Sequence, residues 1–358
     1  MKLQCKRLLL KEKRLVGCIL LISLSLIVLF NDGSIYTTCD HRPIIQTRNF
    51  QKSHQNPAAD VLLLGYMRGG TTFMGEILGI RKDQFYVYEP LHRIAKYQYF
   101  KEGFVCSMTN ASCLDSSGND TEAIDILRNI YNCDFNTFQK IMLPWQFRKV
   151  NSTVLSDCEH RDPLCWHQIL LPCFTSHSRV SKVLRLTVGL ASRLLNSLPH
   201  LKILHLVRDP RAIIDSRLRG SGNTTLDEIK SLCQKIKQDC KDSLQLQRKY
   251  PGRIRTIFYE DIATSPMEAS KVFEFVGFAS EMNDFLHINS MIHSSKTEGV
   301  YTTARNNSEQ TARKWRTRIP WHVIKWTNDE CSDVYDLLGY PQLRSHEDLL
   351  NSSIPLRT

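Results

Sequence analysis

The chain has 358 residues, 42% of them hydrophobic, enough to bury the core of one large α/β domain. Its formal net charge is +11, but six cations (Lys2, Lys6, Arg7, Lys11, Lys13, Arg14) against Glu12 put +5 of that before residue 15 and leave +6 for the remainder. So modest a remainder excludes a nucleic-acid binder built on a large basic surface, and it favours anionic ligands only mildly.

The basic cluster at residues 1–14 reads as a cytoplasmic tail and the uncharged run Leu15–Phe30 as a transmembrane signal-anchor that keeps the positive side in the cytoplasm. At about 1.5 Å per residue the run rises about 24 Å, which suits the thinner membranes of the early secretory pathway. The residues after it (Asn31, Asp32, Gly33, Ser34) offer no small-x-small cleavage site, so an anchor is expected rather than a cleaved signal. Residues 31–59 are polar and aperiodic and suggest a stem, residues 60–345 a lumenal domain, and residues 346–358 a C-terminal tail. Acceptor sequons at Asn110, Asn119, Asn151, Asn223, Asn306 and Asn351 all follow the apolar run, as lumenal exposure requires. Ten of the twelve cysteines also follow it, an even number compatible with disulfides. Cys233 and Cys240, if on one helix, sit about 10 Å apart along its axis and cannot bond each other. Neither Cys-x-x-Cys nor His-Glu-x-x-His occurs, and no metal site is expected.

Within the domain, Val61–Leu64 reads as a buried parallel strand, followed by a glycine turn and a helix over Thr72–Leu78. Residues 100–173 mix sequons, cysteines and short amphipathic pieces, and predict a helical, loop-rich insertion without a core of its own. Strands are expected again at Val180–Leu186, Leu201–Val207 and Arg253–Tyr259, each followed by a helix: Val188–Ser197, Pro210–Leu218 and Pro266–Val276. This alternation predicts an open parallel sheet of P-loop-like α/β type flanked by helices.

Two segments carry chemistry. In the first, Leu64 to Phe73, a strand enters a glycine turn and then a helix, so several unpaired N–H groups and the positive helix end converge where an anion belongs. Gly65 and Gly70 have the spacing of a nucleotide P-loop and Thr72 takes its Ser/Thr position, but Thr71 stands where the lysine would be, which disfavours a P-loop kinase. Arg68 supplies a cation from a different point and can fork two hydrogen bonds onto an oxyanion. In the second, Leu201 to Ser216, an apolar strand ends at Arg208, Asp209 caps the next helix and Pro210 opens it. Arg208 at the strand end and Ser216 two turns along the helix are then available to a ligand.

Together these segments resemble the sulfotransferases that use 3′-phosphoadenosine-5′-phosphosulfate (PAPS), in particular the Golgi 6-O family acting on N-acetylglucosamine, galactose and N-acetylgalactosamine. The likeness extends to Phe85–Leu91, Tyr259–Asp261, Thr303–Arg305, Trp315–Arg316 and Leu338–Tyr340. It implies a sulfotransferase fold and a 5′-phosphosulfate loop at Arg68, Gly69, Gly70, Thr71, Thr72 and Phe73. It places Arg208, Arg211 and Ser216 on the cofactor, the first and last gripping the 3′-phosphate. It makes Glu89 the base for the sugar hydroxyl, with Arg68 stabilising charge at the departing group, and a glycan chain the acceptor. Gly69 departs from the family's serine and removes one hydroxyl contact, the feature that leans toward a catalytically silent glycan-binding protein. The stretch Arg313–Arg318, with cations around Trp315, reads either as a cover over the donor or as a basic face beside core tryptophans.

Overall fold

A computed structural model describes residues 59–135, 142, 144–147, 163–279, 281–293 and 307–358. The expected tail and anchor, nearly all of the stem, and the sequons at Asn151 and Asn306 lie outside the described residues.

The first apolar run forms β1 (Asp60–Leu64), followed by α1 (Thr71–Leu78), β2 (Gln84–Tyr88) and α2 (His92–Ala95). Next come β3 (Gln98–Lys101), β4 (Phe104–Ser107), β5 (Cys113–Asp115), α3 (Asn119–Tyr131) and, after a 3-10 turn at Pro144–Gln146, α4 (Pro163–Thr175). The regular alternation then runs β6 (Ser178–Val183), α5 (Val188–Ser197), β7 (Leu201–Val207), α6 (Pro210–Ser221), α7 (Leu226–Lys249), β8 (Ile254–Phe258), α8 (Tyr259–Thr264) and α9 (Pro266–Val276). The chain closes with α10 (Met282–Ile292), α11 (Ser308–Arg313), a 3-10 turn at Lys314–Thr317, α12 (Trp321–Leu338) and α13 (His346–Leu350).

Five strands form one sheet in the order β2-β6-β1-β7-β8, every pairing parallel. Side chains alternate across it as strand geometry demands. Leu62 and Leu64 join Phe85, Val87 and Ile203 beneath α3 and α5, while Val61 and Leu63 join Tyr86, Leu204 and Leu206 beneath α1, α9 and α10. Both faces are covered, which is why these strands read as continuous apolar runs rather than alternating ones. The connection from β1 runs to one side of the sheet and that from β6 to β7 runs to the other, so the end of β1 is the switch point where open α/β sheets bind ligands.

The expected parallel α/β sheet is therefore present, and α5, β7 and α9 have the expected bounds. β6 is shorter than the expected strand because the backbone after Val183 leaves the sheet to meet β3, with Phe100 donating to the Arg185 carbonyl and Thr187 to the Phe100 carbonyl. The insertion has its helix α3, whose Ala123, Ile124, Leu127 and Ile130 extend the main core. It also holds the antiparallel sheet β3-β4-β5, unseen in the sequence because its strands are three or four residues long and β5 is exposed throughout. Cys106 bonds Cys113 across that sheet, Cys133 bonds Cys173, and Cys233 bonds Cys331 to join α7 to α12; Cys240 is a buried free thiol, consistent with its expected inability to pair with Cys233.

The boundary expected at residue 345 does not exist as a structural break. Leu349 and Leu356 are buried, and Arg316 donates to the carbonyls of Asn351, Ile354 and Pro355. A polar, proline-containing end reads as a tail in sequence; here a buried guanidinium gathers its carbonyls and makes it part of the domain. Trp315 is likewise a core residue at 1% exposure, and Arg316 beside it is buried too, so of the cations in the Arg313–Arg318 stretch only the flanking ones reach the surface. Replacing Arg316 by Met strands three carbonyls and should cost about 2–4 kcal/mol in urea unfolding, far more than an exposed arginine would.

Candidate active site

The carboxyl ends of four strands converge on one region, and the loop after β1 lies at its centre. Tyr66 is buried beneath the loop, its hydroxyl 2.8 Å from His205 Nε2 and 3.2 Å from Asp239 Oδ2. Lys235 donates to Asp239 at 2.6 Å, so an anchored charge pair on α7 underpins the loop. Above Tyr66, Gly69 N donates to the Tyr66 carbonyl at 2.9 Å. A Cβ on Gly69 would sit 2.9 Å from that same oxygen, so the serine expected from the family cannot enter this turn without a shift. Gly70 has φ +85°, and a Cβ there would lie 2.3 Å from the Tyr259 ring. Glycine is required at this position both by conformation and by close approach.

Gly70 caps α1 without a side-chain acceptor, so the leading amides of Thr71, Thr72 and Phe73, which have no intrahelical partner by geometry, stay available at the positive end of the helix dipole. No acidic residue stands in that first turn to compete for them. Thr71 is buried against Gly65, while Thr72 Oγ1 reaches Tyr88 Oη at 3.4 Å. The Phe73 side chain is not a ligand contact: it packs edge-on against Tyr259 in the core, and only its backbone N–H belongs to the helix end.

Arg208, at the end of β7, donates from a terminal nitrogen to the Arg68 carbonyl at 3.1 Å and lies 4.3 Å over the Tyr259 ring. Its buried Nε has no hydrogen-bond partner among the described residues. Arg68, in the left-handed region at φ 71°, turns its side chain to α6, where Nε donates to Ser216 Oγ at 3.0 Å. Arg68, Arg208 and Ser216 thus occupy one cradle. Arg211 does not join them. It is fully buried, paired with Asp209 at 2.8 Å, bonded to the Pro341 carbonyl at 3.0 Å and enclosed by Trp315 and Tyr335. Arg208 lies at the strand end ahead of the helix whereas Arg211 lies in its first turn, so the two side chains leave the backbone in different directions, which the motif by itself does not show.

The segment carrying Arg208 is clamped from behind. Asp209 N donates to Glu260 Oε1 at 3.0 Å, and Tyr340 Oη donates to Glu260 Oε2 at 3.0 Å. Burial pushes the Glu260 carboxyl up to about 7, partly offset by the Asp209 N–H.

Glu89 closes the other side. It follows β2 with φ 46°, a second strained non-glycine residue in the same region. Its two oxygens are taken by Lys182 from β6 and by Arg185 just beyond that strand. Burial alone raises the carboxyl, but these two cations outweigh it and hold Glu89 at about 2. His92 Nδ1 lies 3.7 Å from Glu89 Oε2, and burial together with Arg185 lowers the imidazole from its ordinary value. Lys182 also lies 4.1 Å over the Tyr88 ring, so Glu89, Lys182, Tyr88 and Thr72 form a continuous path to the loop. Lys182, Arg185 and His92 were not singled out in the sequence. The available signal was two cations, Lys182 and Arg185, in and just after a strand that continues into apolar Val183, Leu184 and Leu186, a setting where charge persists only when paired.

A raised carboxyl binds protons in the folded state that it lacks when unfolded, so Glu260 favours folding below about pH 4.5 and loses that contribution as pH rises toward 7. Glu260→Gln should therefore flatten the fall in stability between pH 5 and pH 8, by about 3 kcal/mol at most, measured by denaturant unfolding at both pH values.

Among curated relatives, Carbohydrate sulfotransferase 1 of Mus musculus is 25% identical, the alignment covering 92% of this chain and 89% of that protein. Carbohydrate sulfotransferase 3 of Homo sapiens is 24% identical over 84% and 71% of the two chains. Carbohydrate sulfotransferase 4 of Mus musculus is 25% identical over 86% and 88%. The model of the sulfotransferase domain matches residues 58–328, from the start of β1 through the cradle and into α12. With that match spanning most of its length, this chain belongs to the sulfotransferase family.

Proposed function

We propose that the chain transfers a sulfuryl group from PAPS to the 6-hydroxyl of a sugar, N-acetylglucosamine, galactose or N-acetylgalactosamine, in a glycan chain. We place it as a Golgi enzyme held by the segment 15–30, with residues 60 onward in the lumen. The observation that carries this reading is the shared cradle: the loop after β1 and the arginine after β7 touch through the Arg208–Arg68 hydrogen bond, and Arg68 reaches Ser216. The buried Arg208 Nε, the uncapped amides of α1 and the close approach required of Gly70 are what a doubly phosphorylated adenosine needs. A P-loop kinase has no counterpart for its lysine here, and the family match leaves that reading behind.

In this assignment Arg208 and Ser216 hold the 3′-phosphate end, and Arg68 with the amides of Thr71, Thr72 and Phe73 holds the phosphosulfate end. The donor supplies a sulfuryl group on a phosphate–sulfate anhydride. The S–O bond to phosphate breaks as one forms to the sugar oxygen, and the hydroxyl proton passes to a base on the protein. Arg68 must leave Ser216 to reach the leaving phosphate oxygen.

Glu89 is the proposed base, ionised at every working pH. Clamped by Lys182 and Arg185 it is a weak one, and it gains strength if Lys182 swings toward the transferring group. A second reading follows from His92, 3.7 Å away: the imidazole takes the proton and Glu89 orients it and steadies the cation formed. The pH dependence of kcat/KM separates the two. A Glu89 base leaves the profile flat down to about pH 4, whereas a His92 base gives an acid limb displaced below the ordinary imidazole range.

Under either reading Glu89→Gln should lower kcat by about 10²- to 10⁴-fold and leave binding of the desulfated donor, adenosine 3′,5′-bisphosphate, within about twofold. Near-normal turnover by this variant would remove Glu89 from the chemistry. Arg208→Ala should raise the KM for PAPS at least about tenfold with acceptor KM little changed, and an unchanged PAPS KM would refute the cradle. The decisive assay supplies labelled PAPS with acceptors ending in each of the three sugars and locates the sulfated oxygen in the product.

A further inference from the structure

We infer that Trp145, flanked by His92, is the wall on which the acceptor pyranose stacks, a subsite distinct from the donor cradle; the inference rests on the sugar reading above. Trp145 lies in the 3-10 turn Pro144–Gln146 and is 42% exposed, an unusual state for an indole. The turn is nonetheless fixed. Gln146 is fully buried and its side-chain amide donates to the Glu89 carbonyl at 2.6 Å, while Phe147 packs 5.9 Å from both Phe85 and Phe135. One peptide link therefore registers the indole to the carboxylate residue.

Two ring contacts set its orientation. Tyr88 meets it at 5.8 Å and 66°, and His92 at 5.4 Å and 82°. Tyr88 continues to Thr72 on the donor loop, and His92 to Glu89. The exposed indole thus stands where the path to the donor loop and the Glu89–His92 pair meet. A pyranose has an apolar face of C–H groups bordered by hydroxyls. An immobile indole matches the face, and a lowered, uncharged imidazole matches the rim. Holding the ring there would turn its exocyclic hydroxymethyl arm toward Glu89, and fixed orientation of this kind is a large share of what a transferase supplies.

The test uses the full chain, PAPS, and tetrasaccharides of alternating galactose and N-acetylglucosamine, with a chondroitin tetrasaccharide in parallel. Trp145→Ala should raise the KM of the transferred tetrasaccharide at least about tenfold while PAPS KM stays within about twofold, the latter also reporting that the fold is intact. Trp145→Phe, which keeps a ring face, should recover most of the loss. Binding is read independently of turnover: with adenosine 3′,5′-bisphosphate present, the tetrasaccharide should change the tryptophan fluorescence of the native chain, and not that of Trp145→Phe. Acceptor KM unchanged in Trp145→Ala, with the native chain active, overturns the subsite alone. A native chain that sulfates a non-sugar hydroxyl but no sugar overturns the sugar reading and the subsite with it.

Discussion

The hydrogen bond from the Arg208 guanidinium to the carbonyl of Arg68, reinforced by that from Arg68 to Ser216, ties the loop after β1 to the end of β7 and to α6. It matters because the loop after β1 is otherwise expensive to hold. Arg68 and Gly70 both have positive φ, and Gly70 sits against an aromatic ring. Strain of this kind persists only where the surroundings over-determine it. Here the support comes from Tyr66 beneath the loop, Arg208 beside it and Ser216 across from it, each bonded to a different part of the turn.

Charge is handled in two opposite ways on the two sides of that loop. Around Glu89, two cations overcompensate one carboxylate and keep it ionised at about 2 despite burial. Behind Arg208, Glu260 has hydrogen-bond donors but a distant cation, and burial dominates, lifting it to about 7. The first arrangement leaves one positive charge in excess beside Glu89; the second secures the backbone that presents Arg208. Both are buried, so each is costly to break by removing one partner.

The additions to the central sheet serve the same site. The 3-10 turn at Pro144–Gln146 pins the Glu89 carbonyl, and the Cys233–Cys331 bond ties α7, which carries the Lys235–Asp239 pair under the loop, to α12. The C-terminal residues close over Arg316, beside the core that encloses Arg211.

What the sequence by itself determined was local: the parallel α/β alternation, the strand–glycine–helix turn at Gly65–Thr72, and the strand end at Arg208 with its Asp209 cap. These rest on periodicity, caps and backbone conformation, which act over a few residues. The sequence placed Arg68 in the turn before α1, Arg208 at the end of β7 and Ser216 two turns along the following helix, but gave no strand leading to Glu89. It could not tell that Arg211 and the side chain of Phe73 face inward, or that the C-terminal residues anchor to the domain through Leu349, Leu356 and Arg316. Only the tertiary structure brought Lys182, Arg185 and His92 to Glu89 and set Trp145 beside them, because those contacts join residues whose meeting depends on strand order and on how the insertion folds back over the sheet. Charge pairing and ring packing act through space, and a linear pattern records a buried cation or an exposed indole without recording its partner.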